Sequence, residues 1–176
     1  ITGNITFSKA KAAIQKYFSD WKTGKLKAIE QIAMPKPEKR IKIIDYPTTQ
    51  GYVRMGHLSV ERDNPLYYKL LVFNAILGGS GFGSRLTEII REKMGLTYGI
   101  VSYFYAFRKQ QGYFHINYST KLENITLSIK KTYEELDKYI AEGPTEKELR
   151  EIKTYLIGTI ILTRESLAQI SDIIAS

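Results

Sequence analysis

The chain contains no cysteine. That excludes disulfides, thiolate metal sites and cysteine nucleophiles, although a protein without disulfides can live in any compartment. No apolar run reaches the length of a membrane-spanning helix. The first residues, Ile1-Thr2-Gly3-Asn4-Ile5-Thr6, include neither a methionine nor a signal-peptide pattern, and they read as the start of a piece cut from a longer chain. Histidine is scarce: His57 and His115 are the only two. They fall in different predicted strands with no carboxylate motif beside them. The His-x-x-x-His spacing that commonly holds a catalytic zinc is therefore missing, as is a credible base for a Ser-His-Asp arrangement. Both read as ordinary sheet histidines. Internal repeats of short period and low-complexity tracts are also lacking.

What is present is globular. Of 176 residues, 43% are hydrophobic and 12% aromatic, enough for one domain with a sizeable core and a fragment of a second. The net charge is +8, from 26 Lys and Arg against 18 Asp and Glu. These basic residues are scattered, and their densest cluster, 36–42, lies in a linker-like stretch. A solvated lysine-rich surface is thus favoured over a nucleic-acid track, which would concentrate its cations; acidic peptides are a third reading.

The pattern predicts α+β architecture. Residues 1–6 alternate as a short strand. From Phe7 apolar residues recur at helical spacing to Trp21, with Ser8 as a candidate N-cap. Residues 22–40, with Pro35 and Pro37, read as an extended linker. Ile41, Ile43 and Ile44 suggest one strand and 51–61 another. Asn64-Pro65 opens a helix carrying Leu66, Leu70, Phe73, Ile76 and Leu77. The glycines at 78–83 stop it, and Ser84 opens a further helix over 85–94, ended by Gly95. Stretches 96–107 and 112–120 are rich in β-branched and aromatic residues and form a hairpin. Thr120-x-x-Glu123 has capping-box form and opens a helix to about 142; Thr145-x-x-Glu148 is a second such box, opening a helix to about 174. Paired strands followed by paired helices argue for an antiparallel or mixed sheet with helices on one face.

Two features could carry chemistry. The first is Gly78-Gly79-Ser80-Gly81-Phe82-Gly83-Ser84. It follows a helix and has the wrong spacing for a dinucleotide fingerprint, lacks the Gly-Lys of a phosphate loop, and has Phe82 where a nucleophile elbow needs glycine. The plain reading is a helix-to-helix turn; the functional one is a loop that lets a peptide backbone approach closely. The second is the pair Arg91 and Tyr98. A guanidinium and a phenol aimed at one point could stabilise a developing oxyanion. By spacing alone, a helix-terminal Arg favoured by the dipole and a core-edge Tyr are the simpler account.

The run from Leu77 to Tyr98 (glycine-rich loop, Ser84-Arg85-Leu86, Arg91-Glu92-Lys93, Gly95-Leu96, Tyr98) resembles the signature of the second, "inactive" domain of the pitrilysin family of zinc metallopeptidases. That family includes insulin-degrading enzyme and the mitochondrial processing peptidase. Gly112-Tyr113-Phe114 is similar to the family's next strand, and Gly143-Pro144-Thr145-Glu146-Lys147-Glu148-Leu149 to its "Gly-x-Thr-x-x-Glu-Leu" helix start. Residues 1–21 resemble the last strand and helix of the preceding zinc-type domain. The resemblance implies a boundary scheme of 1–21 from that domain, 22–40 as linker, and 41–176 as a non-zinc domain truncated at its C-terminus. It implies a two-layer α+β sandwich, and a role as the non-zinc half of a zinc endopeptidase that is inactive alone. Arg91 and Tyr98 match the family's catalytic Arg/Tyr pair in spacing and context. Gly79, Gly81, Phe82 and Gly83 match the loop that helps take in substrate. The chain itself would bind no metal; zinc would sit on a partner domain or subunit bearing His-x-x-Glu-His. The implied partners are that domain and an unfolded peptide, with no nucleic acid and no membrane span, and a dimer is one arrangement compatible with this. Bacterial relatives of this kind occur in cytoplasm and periplasm. The alternative is a non-catalytic scaffold subunit of the same fold.

Overall fold

The computed structural model describes residues 1–25, 36, 38–81, 83–162 and 165–175. The chain divides into two compact units, one of residues 31–153 and the other joining 1–30 with 154–176.

The larger unit is built on a three-stranded antiparallel sheet: β1 (Gln50–Leu58), β2 (Ile100–Tyr105) and β3 (Tyr113–Lys121), with β3 in the centre. Side chains alternate between faces along each strand. Alternation sends Ile100 and Ser102 of β2, and Ile116, Tyr118 and Thr120 of β3, to one buried face. Tyr103, Tyr105 and Tyr113 go to the other, where they stay substantially exposed. Gly51 lies under α3: a Cβ there would stand 2.4 Å from Ile125 Cδ1.

Helices cover the buried face. Helix α2 (Tyr67–Asn74) runs directly into a π-helical turn, Ala75–Gly79, whose first four residues are buried. A second π-helical stretch, Thr87–Lys93, buries Thr87 and Ile90. Helix α3 (Ile125–Glu142) follows β3 through a 3₁₀ turn at Leu122–Asn124 and packs on β1 and β3; α4 (Glu146–Leu162), whose residues from 154 on belong to the smaller unit, comes next in the chain. Leu77, Leu86, Ile90, Ile100, Ile116 and Tyr139 are the large side chains fully buried in this layer, each contributing on the order of 1.5–3 kcal/mol by leaving water.

In the smaller unit, α1 (Phe7–Phe18) and α5 (Leu167–Ala175) are amphipathic. The Thr2 hydroxyl donates to Leu167 O at 3.2 Å and meets the Ser171 hydroxyl, tying the start of the chain to α5.

The sheet-plus-helix architecture, the hairpin and α3 follow the sequence expectation. Several local readings do not. Residues 1–6 form no strand among the described residues; Ile5 N–H turns back onto Gly3 O instead of joining a ladder. Thr6, not Ser8, caps α1, accepting from Lys9 N–H at 3.4 Å. Ile41, Ile43 and Ile44 have strand propensity without a partner strand among the described residues and are largely exposed. Of the expected linker, residues 26–35 and 37, including both prolines, lie outside the described residues; 22–25, 36 and 38–40 have no regular structure. The Thr120 capping box does not form, because β3 extends to Lys121 and the buried Thr120 hydroxyl donates to Leu96 O at 2.6 Å. The long last helix is two: α4 ends at Leu162, and Ser166 and Gln169 form a reciprocal capping box that starts α5.

Candidate functional site

The glycine-rich stretch joins the two π-helical segments. Gly81 and Gly83 have φ of +77° and +84°, which side-chain-bearing residues rarely adopt. Gly79 packs on Asn74, whose Nδ2 would lie 2.4 Å from an added Cβ. Ser84 closes the turn: its buried hydroxyl donates to Gly81 O at 2.8 Å and lies 3.0 Å from Thr87 Oγ1, while Ser84 O accepts from Glu88 N–H. Gly79, Gly81 and Gly83 are thus on one turn, as expected; Phe82 lies outside the described residues.

The following residue, Arg85, anchors this turn to the α3–α4 junction. Its Nε and Nη2 donate to the two oxygens of Glu148 at 2.5 and 2.8 Å, and Nη2 also reaches Gly143 O at 3.2 Å. Glu135 approaches Nη1 at 3.7 Å, and the guanidinium lies 4.3 Å from the Tyr139 ring centroid. Glu148 in turn accepts from Thr145 N–H and its hydroxyl, so the predicted capping box is present. The hydrogen bond from Arg85 holds the Glu148 carboxyl down at about 2. Burial pushes the Glu135 carboxyl up, and pushes the Tyr139 phenol up to about 12. The partner of Arg85 is 63 positions away, so this pairing has no local signature in the sequence.

Arg91 and Tyr98 come together. The Arg91 guanidinium carbon lies 5.5 Å from the Tyr98 ring centroid, within cation–π range. Arg91 is half-buried on the second π-helical stretch, where Glu88 and Lys93 pair at 2.6 Å across five positions, the spacing of a π turn. Gly95, at φ +62°, reverses the chain while its N–H bonds Arg91 O. Beyond it the Thr97 hydroxyl is held to Ser119 O at 2.6 Å and to Gly99 O at 2.9 Å. These bonds fix the backbone on both sides of Tyr98 and leave its ring 89% exposed.

A third feature was not singled out by sequence. On the open face of the sheet, Tyr103, His115, Tyr113 and Tyr105 form a continuous aromatic ladder, with successive centroids 5.0, 5.6 and 4.8 Å apart. They line a groove of about 770 Å³ together with Arg54 and Asn117. Burial, and then the positive charge of Arg54, push the His115 imidazole down, against an opposing hydrogen bond with Asn117. Alternation at 103/105 and 113/115 is visible in the sequence, but which face it occupied was not.

No group of three His, Cys, Asp or Glu side chains that could hold a metal occurs among the described residues, and His57 and His115 sit in neighbouring strands, His57 beside Phe114 and His115 within the aromatic ladder. The described residues do not fit a zinc site. No helix among the described residues is long and apolar enough to cross a membrane.

The family model described as "Peptidase M16 inactive domain" matches residues 1–156. An uncharacterized zinc protease of Bacillus subtilis, YmxG, is 30% identical over 172 residues, covering 94% of this chain and 39% of its own length. A Helicobacter pylori relative described as a non-peptidase homolog is 30% identical over 142 residues, covering 74% of this chain and 30% of its own. The crystal structure of a peptidase M16 inactive domain from Pseudomonas fluorescens superposes with a TM-score of 0.79 at 37% identity, covering 96% of this chain and 40% of that one. The chain thus spans about two fifths of the length of the zinc-protease relatives it matches.

Proposed function

Because this chain belongs to the peptidase M16 inactive-domain family, we propose that it is the non-zinc half of a zinc endopeptidase, walling the peptide chamber and lending Arg91 and Tyr98 to the reacting carbonyl. The observation that carries this reading is the meeting of Arg91 with an exposed Tyr98 on a braced turn. A guanidinium offers donors in a fixed plane and a phenol offers one more. Both stand on backbone pinned by Gly95 and Thr97, so little reorganisation is needed when charge develops on a bound carbonyl oxygen. Zinc, held by a partner domain or subunit bearing His-x-x-Glu-His, supplies carbonyl polarisation and an activated water. In this chain, Arg91 and Tyr98 orient the carbonyl and donate to it, and the turn of Gly79, Gly81 and Gly83 gives the substrate backbone room to approach. The substrate is an unfolded peptide, and the arrangement is compatible with a dimer.

In the assembled enzyme, Arg91→Ala is expected to leave zinc content intact and lower turnover on the order of 10²-fold. Unchanged turnover would remove the catalytic role. The non-peptidase description of the Helicobacter relative favours a second reading, a scaffold of the same fold. Chelator-insensitive absence of cleavage by the full-length protein with its partners would select it.

A further inference from the structure

Much of the open face of the sheet is unused by the Arg91–Tyr98 site, and it is not a generic apolar surface. Three ranks of side chains cross it. Leu58, Tyr113 and Tyr105 form one rank, Gly56, His115 and Tyr103 the next, and Arg54, Asn117 and Val101 the third. Gly56 adds no side chain beside His115, and a Cβ there would collide with Phe114 O of the neighbouring strand. The first two ranks present stacked rings, with Tyr103, Tyr105 and Tyr113 each about two-fifths exposed. The third presents an exposed cation, Arg54, with no ion pair among the described residues, and a buried acceptor, Asn117 Oδ1, whose neighbour is the His115 imidazole and which has a lone pair to spare. Ring, cation and acceptor are complementary to a ring, a carboxylate and an N–H donor.

We propose that this face binds an extended peptide segment through an aromatic side chain laid on Tyr103 and His115 and a carboxylate two residues along, paired with Arg54. The spacing follows from the pleat: same-face side chains of an extended peptide recur every second residue, roughly 7 Å apart, as the ranks at 115 and 117 do. A main-chain N–H of the same segment is the natural donor to Asn117 Oδ1. Tyr and His rings bury apolar area on one face while keeping polar tips wet, which suits a reversible subsite. A nucleic-acid strand would also stack on such rings, but it needs a line of cations to follow its phosphates. Here Arg54 is the single formally charged residue in the groove lining. The proposal specifies the sequence preference of the peptide reading above and rests on it for the ligand class.

The test is equilibrium binding with chelator present, so that turnover plays no part. Anisotropy of a fluorescein-labelled Gly/Ser-rich peptide containing one Phe-Gly-Asp segment is followed on the full-length protein. Replacing Phe by Ala in the peptide is expected to weaken binding about fivefold, the scale of one aromatic contact, and to have no further effect on Tyr103→Ala. Replacing Asp by Asn is expected to weaken binding to the wild type but not to Arg54→Gln. Arg54 is an exposed side chain, so this second arm stands even if Tyr103→Ala folds poorly. Equal affinity for Phe and Ala peptides, or preferences that persist in both variants, would overturn the proposal. So would an oligothymidylate that binds more tightly and displaces the peptide, or a change of oligomeric state in Tyr103→Ala showing that a second copy covers the rings. Unchanged turnover in Arg91→Ala would refute the catalytic role and leave this preference standing, so the two failures are distinguishable.

Discussion

Replacing Glu148 by Gln removes one charge from the junction that holds the glycine turn to α3 and α4. The carboxyl sits at about 2 in the folded chain against an ordinary 4.5. That difference, at 1.36 kcal/mol per unit, sets a ceiling of about 3 kcal/mol. The pair is partly wet, with Arg85 12% and Glu148 25% exposed, so solvent screening reduces the expected loss to about 2 kcal/mol. For a chain of this size that is a fall in Tm of about 4–8 °C. The sign with pH follows from the depressed value. The stabilisation is fully present above pH 4.5 and is lost as pH falls from 4.5 toward 2. Urea titrations of wild type and Glu148→Gln at pH 7 should therefore differ by about 2 kcal/mol, and the difference should shrink steadily below pH 4.5. The introduced amide still offers an oxygen to Thr145, so the capping bonds are nearly matched between the two proteins. Equal stability at pH 7 would show that the Arg85 pairing contributes nothing net. A difference that persists undiminished at about pH 3 would assign it to packing or capping and refute the electrostatic account.

Gly112→Ala should be among the most damaging single changes in the hairpin. Its Cβ would stand 1.7 Å from Tyr105 O, a backbone atom that cannot step aside, so a loss above about 2 kcal/mol is expected in urea unfolding. Ser166→Ala removes the hydroxyl that accepts from Gln169 N–H at 3.2 Å. It should cost about 1 kcal/mol locally, seen as faster amide exchange confined to the first turn of α5.

The sequence carried the β2–β3 hairpin because both strands alternate cleanly and lie next to each other in the chain, whereas β1 reaches its partner β3 from a distant segment. It carried the Thr145 cap because both partners are local and nothing else competes for them. It failed at Thr120, where the same four-residue form is overridden by a hydrogen bond to Leu96, and at Ile41–Ile44, where strand propensity met no neighbouring strand. The π-helical segments look like ordinary helix in the sequence, since one extra residue per turn leaves the apolar spacing almost unchanged over so short a run. The Glu88–Lys93 pair, five apart, bears their mark. Arg91 and Tyr98 were reached through family resemblance; spacing alone favoured a dipole-placed Arg and an edge Tyr. The aromatic face and the Arg85 junction depend on contacts between distant segments, and composition does not encode which distant residue a guanidinium will find.

The second π-helical stretch has a consequence for how the Arg91–Tyr98 geometry is maintained. A π turn amounts to an α-helix with one residue inserted, and in a helix each residue advances the side-chain direction by roughly 100°. The bearing of Arg91 toward Tyr98 is therefore a matter of phase, set by how many residues separate Ser84 from Gly95 as much as by which residues they are. A chain could keep every signature side chain in this run and, by losing a single spacer, swing the guanidinium away from the phenol. Counting the residues between the two glycine turns is thus a sharper way to sort family members that can bring the pair together from those that cannot than checking for the Arg and Tyr alone.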